Sequence, residues 1–278
     1  MTTLALERQG PLGLVTLNRP ERHNAFDDAL IVELTEALRT MEADDTVRLV
    51  VLAGAGPSFC AGADLNWMKR MSGFSRDENQ RDAMQMAALM RTLNNLRKPT
   101  IARVHGAAYG GGVGLVACCD VAIASHAATF ALSDVKLGLT PAVISPYVVA
   151  AIGERAARRY IISGERFDCG EAWRLGLVHD IAPTDEEMDG RLNDLVDAML
   201  ACGPVAQREA KELVRAVAGR PVTSELVQDT AERIARLRAS PEGRDGVQAF
   251  LDKRRASWVP APEPEPTEVI NAPPPPGA

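Results

Sequence analysis

The run Arg48 to Leu52, RLVVL, limits the fold more than any other stretch of the chain. After the arginine it is apolar without alternation and carries two adjacent valines. That pattern predicts a strand buried on both faces. Such a strand needs helices above and below it, and the flanking sequence supplies them. The spacing predicts a helix over Asp27 to Met41, with Leu30, Leu34, Ala37, Leu38 and Met41 on one stripe. A second helix is expected over about Glu78 to Leu96. Short strands are expected at Leu4 to Glu7 and Leu14 to Leu17, joined by a turn at Gly10-Pro11. Others are expected at Thr100 to Val104, Val121 to Ala124 and Thr129 to Leu132. Strand, strand, helix and strand, loop, helix recur through the first two thirds, which predicts an α/β architecture.

Past Asp185 only helical patterns remain, at about 186–201, 204–218, 223–237 and 243–255. We therefore expect a core domain over 1–184 that holds the active site, and a helical C-terminal region over 185–258. Residues 259–278 are expected to form a disordered tail. From Pro260 to Ala278 it holds eight of the chain's 18 prolines and two β-branched aliphatics, too little apolar surface to offset chain entropy.

Composition excludes some functions. The net charge is −6, whereas nucleic-acid binding calls for a basic face. No apolar run approaches the roughly 20 residues that span a bilayer. The start, MTTLALERQG, lacks a signal-peptide pattern. The five cysteines are odd in number and form no C-x-x-C, which predicts buried reduced thiols and a cytoplasmic protein. The four histidines stand singly, so no metal is expected.

Three junctions are rich in small residues: Phe59 to Asp64, Gly110 to Gly112, and Gly138 to Pro141. At a helix start, backbone N–H groups lack intrahelical partners and have the positive end of the dipole behind them. Two such junctions facing one point would make an oxyanion hole. Glycines at these places also serve simply to let helix and strand pack closely.

Read in order, the blocks resemble the crotonase, or enoyl-CoA hydratase/isomerase, superfamily. They are LNRPERHNAF (17–26), SFCAGADL (58–65), KPTIARVHGAAYGGGVGLVACCD (98–120), FALSDVKLGLTP (130–141), FDCGEAWRLGLVH (167–179) and FLDKRRASW (250–258). The resemblance covers about residues 3 to 258. It implies a spiral of ββα units followed by a helical trimerisation region, assembled as a homotrimer or as a hexamer, a dimer of trimers. It also implies an acyl-CoA substrate, with coenzyme A part of that substrate and no separate cofactor. The N–H groups of Ala63 and Gly111 would stabilise the thioester enolate. The CoA moiety would lie along residues 21–25 and 61–65, with Arg22, His23, Ala25, Ala61, Asp64, Leu65 and Gly110 as contacts. Phe250 and Lys253 would reach CoA in a neighbouring subunit. Arg22 and Lys253 also fit plain solvated surface charges.

The resemblance departs from its pattern at the acids. Two glutamates are usual; here the first position is Gly114 and the second is Asp134. Asp134 is the candidate general acid/base, with a helix N-cap as its alternative role. One carboxylate can take a proton from water and return it to C2. The same count also suits a Δ3-to-Δ2 isomerase. Residues 63–71, the GGG block and 132–160 are most similar to bacterial 3-methylglutaconyl-CoA and isohexenylglutaconyl-CoA hydratases, which serve leucine and terpene breakdown. Their substrates end in a carboxylate, for which Lys69, Arg70 and Lys136 are candidate partners. Three readings follow: a hydratase for a branched glutaconyl-CoA, an isomerase or other enzyme of this superfamily, and a non-catalytic CoA-binding protein.

Overall fold

The computed structural model describes residues 3–259. Apart from its first residue, the expected tail at 259–278 lies outside the described residues. The chain opens with an antiparallel hairpin, β1 (Leu4–Gln9) and β2 (Leu12–Leu17), turning at Gly10-Pro11 as the sequence predicts. Helix α1 (Asp28–Ala43) follows, capped by Asp27, and leads into β3 (Leu49–Gly54). Next come α2 (Leu65–Met71), α3 (Arg76–Asn95), β4 (Thr100–Val104), β5 (Ala107–Tyr109), α4 (Gly111–Cys118), β6 (Val121–Ser125) and β7 (Thr129–Ala131). The remainder is α5 (Ser145–Ser163), β8 (Arg166–Asp168), α6 (Cys169–Leu175), β9 (Asp180–Ala182), α7 (Asp185–Leu200), α8 (Pro204–Val217), α9 (Ser224–Ala239) and α10 (Pro241–Leu251).

Six strands form one sheet in the order β1-β2-β3-β4-β6-β9, parallel except at the first hairpin. A smaller sheet, β5-β7-β8, carries the segments that lead into α4 and into the turn after β7. The RLVVL strand behaves as its composition demands. Val50 and Leu52 enter the large core shared with α1, α3, α4 and α5, while Leu49 and Val51 enter a second core on the opposite face. That second core is closed by Met188, Leu192, Val196 and Leu200 of α7. The first helix past residue 184 is therefore part of the covering of the sheet, and α8 to α10 lie beyond it.

The cysteine expectation needs correction at two residues. Cys60, Cys118 and Cys169 are buried free thiols, but Cys119 is only half-buried, and Cys202 is exposed because it lies just past the end of α7. Burial pushes the Cys60 thiol up to about 12 and the Cys169 thiol to about 11, so neither supplies a thiolate at neutral pH.

Candidate active site

Residues 19–26 and 58–64 are tied together by backbone. Asn24 sits at φ 54, a conformation asparagine tolerates better than most residues. Its buried side chain accepts from the Arg19 N–H (2.8 Å) and donates to the Ala55 (2.9 Å) and Ser58 (2.8 Å) carbonyls. His23 Nδ1 lies 3.0 Å from Ser58 Oγ. The Ala61 N–H donates to His23 O (2.9 Å), Phe26 N–H to Gly62 O (2.7 Å), and Asp64 N–H to Phe26 O (2.8 Å). Residues 23–26 thus run parallel to 61–64, which brings the expected CoA contacts His23, Ala25 and Ala61 to one edge. In a parallel pair the residue at the centre of such a bridge turns its own N–H away. At this bridge that residue is Ala63. Among the described residues neither the Ala63 nor the Gly111 N–H donates to a protein acceptor.

Each glycine of the GGG block meets a different demand. Gly110 has φ 49 and ψ −115, a region that only glycine enters cheaply, and its N–H donates to Ala131 O (2.8 Å). A methyl on Gly111 would stand 2.8 Å from the Phe26 ring and 2.6 Å from Met86 Cε. A methyl on Gly112 would stand 2.5 Å from the Cys60 carbonyl oxygen. The start of α4 is therefore pressed onto the 58–64 loop, with the Gly111 N–H free of intrahelical bonding. Gly110→Ala is expected to cost about 1–3 kcal/mol through backbone strain. Thermal unfolding checks this, and an unchanged midpoint would contradict it.

Asp134 lies in the 3-10 turn Ser133–Leu137 that follows β7. A methyl on Gly110 would sit 3.8 Å from its Oδ2, so the carboxyl faces the turn that opens α4. Burial raises its pKa above the ordinary carboxylate value. The N-cap alternative is not realised, since the cap position is Leu132 and no side chain caps the turn.

Gly114 is buried on α4, and its surroundings are apolar. A Cβ there would be 2.3 Å from Ile144 Cγ2, 2.9 Å from Ile144 Cβ and 3.2 Å from Met90 Cε. The space that a side chain at 114 would enter is filled by a branched side chain and a methionine.

The other expected contacts divide. Arg22 is half-exposed and pairs with Asp64 Oδ2 at 2.8 Å; the hydrogen bond and charge of Asp64 raise its pKa. Asp64, expected among the CoA contacts, turns its carboxylate inward. It caps α2 by accepting from Asn66 N–H (2.8 Å) and Trp67 N–H (3.2 Å). Burial pushes the Asp64 carboxyl up, but hydrogen bonds from Arg22, Asn66 and Trp67 outweigh that and hold it below the usual range. Leu65, beside it, is 80% exposed. Phe250 is 82% exposed, and α10 packs on α8 and α9, so within one chain neither Phe250 nor Lys253 joins this edge. Arg70 pairs with Asp28 at 2.6 Å, Lys69 is exposed in the last turn of α2, and Lys136 lays its stem over Gly164. Among the described residues no set of three His, Cys, Asp or Glu side chains could hold a metal ion. No helix among them is long and apolar enough to cross a membrane.

The residue reading missed Arg19, Ile144, Met86 and Met90. Only Arg19 left a signal, as the cation next to Pro20 in LNRPERHNAF.

The two-sheet α/β fold, with its glycine-rich helix start beside a half-buried carboxyl, defines an enzyme of the crotonase class. The chain belongs to the enoyl-CoA hydratase/isomerase family, whose profile matches residues 7–260. It is 32% identical over 255 residues to the 2,3-dehydroadipyl-CoA hydratase of Escherichia coli (strain K12), spanning 91% of this chain and 97% of that protein. It is 30% identical over 257 residues to the short-chain-enoyl-CoA hydratase of Clostridium acetobutylicum, at 92% and 97% coverage. The crystal structure of an enoyl-CoA hydratase from Shewanella pealeana superposes with a TM-score of 0.89 at 41% identity, covering 92% of this chain and 96% of that one. The activity is of the enoyl-CoA hydratase type.

Proposed function

We propose that the chain is a carbon–oxygen lyase that adds water across an α,β-unsaturated acyl-CoA of the branched glutaconyl type. The observation that carries this reading is the Asp134 carboxyl, raised by burial, against the Gly110 turn that presents the Gly111 N–H. The Ala63 and Gly111 N–H groups take the thioester oxygen as negative charge develops on it. Asp134 removes a proton from water as the water oxygen bonds to C3, and the displaced electrons move to the thioester oxygen. The protonated Asp134 then delivers that proton to C2, which restores the carbonyl and the carboxylate. Each donor of this kind contributes about 3–4 kcal/mol of transition-state stabilisation. No cofactor is required beyond the coenzyme A of the substrate.

The glutaconyl preference is supported by the similarity of residues 63–71, 110–120 and 132–160 to hydratases of such substrates. It is also supported by a relative named for a dehydroadipyl thioester, an acyl group with a second carboxylate. Lys69, Arg70 and Lys136 are the cations offered to that carboxylate. Formation of 3-hydroxyacyl-CoA from 3-methylglutaconyl-CoA, faster than from crotonyl-CoA, is the expected result. Turnover of neither by a protein that binds CoA would overturn the hydratase reading.

One observation favours a second reading. With Ile144 and Met90 in the space beside Gly114, one acid remains, which is also enough for a Δ3-to-Δ2 isomerase.

Assembly as a trimer or a dimer of trimers is supported by apolar groups left bare on the C-terminal helices. Val214, Val247, Phe250 and Leu251 are each at least 60% exposed. Light scattering is expected to give three or six chains, and Phe250→Ser is expected to weaken CoA binding together with assembly. A monomeric wild type would contradict this.

A further inference from the structure

We propose that Arg19 is a positioning residue for the Ala63 N–H. The inference rests on reading Ala63 as a donor to the thioester oxygen. Arg19 is buried, only 9% exposed, although it stands in a polar turn. Its Nη1 donates to the Ala25 carbonyl (2.9 Å) and lies 2.8 Å from Asp27 Oδ2, while its Nη2 lies 3.2 Å from Asp64 Oδ2. Both carboxylates are helix caps. Asp27 accepts from Leu30 N–H at the start of α1, and Asp64 accepts from Asn66 and Trp67 at the start of α2.

Between those caps lies the short bridge that holds Ala63. Its two bonds, Phe26 N–H to Gly62 O and Asp64 N–H to Phe26 O, sit between the residues that Arg19 grips. The guanidinium holds residues 25 and 27 on one strand and 64 on the other, so the peptide of Ala63 cannot shift along or away from 26 without breaking a charged contact. Asn24 Oδ1 in turn fixes the Arg19 backbone N–H at 2.8 Å. A buried cation with two carboxylates is a poor way to gain stability, because apolar packing does as well without the desolvation cost. What it offers is a rigid planar fork with several donors, which a lysine lacks.

The test uses Arg19→Lys and Asp64→Asn in the full-length protein, the second keeping an acceptor for the Asn66 and Trp67 N–H groups. The readouts are kcat, KM and the carbonyl stretch of a bound enoyl-CoA thioester by Raman difference spectroscopy. Wild type is expected to move the stretch to lower frequency. The variants are expected to lose most of that shift and on the order of 10²-fold in kcat. KM is expected near wild type in Arg19→Lys, whereas Asp64→Asn also releases Arg22 and its KM is expected to rise. Folded variants that keep both the shift and kcat would overturn the inference and leave the reading of Ala63 standing. Loss of kcat that follows loss of folded protein, with the shift intact, would also overturn it. Absence of the shift in wild type would instead remove the reading of Ala63 itself. If Arg19→Lys does not fold, Asp64→Asn decides.

Discussion

Asp134→Asn is expected to lower turnover about 10²–10⁴-fold, the range for loss of a general acid/base, with acyl-CoA affinity near wild type. The same change is expected to raise the melting temperature at neutral pH. Burial holds the folded-state pKa of this carboxyl above its unfolded value, so the native state favours the protonated form. The stability this group contributes is present below the unfolded pKa and is lost as pH rises through the folded one. At neutral pH the ionised carboxyl therefore opposes folding, and asparagine removes that opposition. Below the ordinary carboxylate range the two proteins should melt alike. Calorimetry across pH, with thioester titrations beside it, checks both halves. A variant that melts lower at neutral pH while keeping its turnover would contradict both. In wild type, kcat/KM should fall on acidification with an apparent pKa above the ordinary aspartate value, since the base must be ionised to take a proton from water.

Gly114→Glu is expected to destabilise the protein without adding a second acid. The first atom of the new side chain would already lie 2.3 Å from Ile144 Cγ2 and 2.9 Å from Ile144 Cβ, inside the large core. Overpacking of this kind costs about 1–3 kcal/mol, before the burial of a carboxyl among apolar groups is counted. Ile144→Ala alone should cost about 2–5 kcal/mol by leaving a cavity. The double variant Gly114→Glu/Ile144→Ala should be more stable than the sum of the two single changes predicts, because each relieves the fault of the other. Thermal melts of the three proteins measure the coupling. Gly114→Glu with a wild-type melting point and faster hydration of crotonyl-CoA would show that this space is open after all.

Five of the six strands of the large sheet were legible because they are short apolar runs with clear punctuation, whereas the three-residue strands β5 and β9 were not assigned. β4 matches its expected bounds, and α1, α3 and α7 to α10 fall within a few residues of theirs. The segment between β7 and α7 was not assigned, and α5 shows why. Its buried residues Val148, Ile152, Ala157 and Tyr160 straddle Gly153, whose φ of 76 and ψ of 158 break the helix and shift the stripe. α2 is seven residues long, too short for a periodic signal to emerge. In the site, the acid at 134 is visible as an acid. Backbone donors have no side chain to announce them, so Ala63 and Gly111 entered only through the resemblance. Ile144 lies thirty residues from Gly114 in sequence, and nothing local to either residue shows that one fills the space of the other. Arg19 was passed over because an arginine in a polar turn is ordinarily solvated.

The most direct test of single-carboxylate hydration is to incubate the enzyme with crotonyl-CoA and with 3-methylglutaconyl-CoA in D2O and follow the products by NMR and mass spectrometry. The account predicts a hydroxyl at C3 and one deuterium at C2 in the same product. Double-bond migration with deuterium exchange and no hydroxyl, or no exchange at all in a protein that binds the thioester, would contradict it.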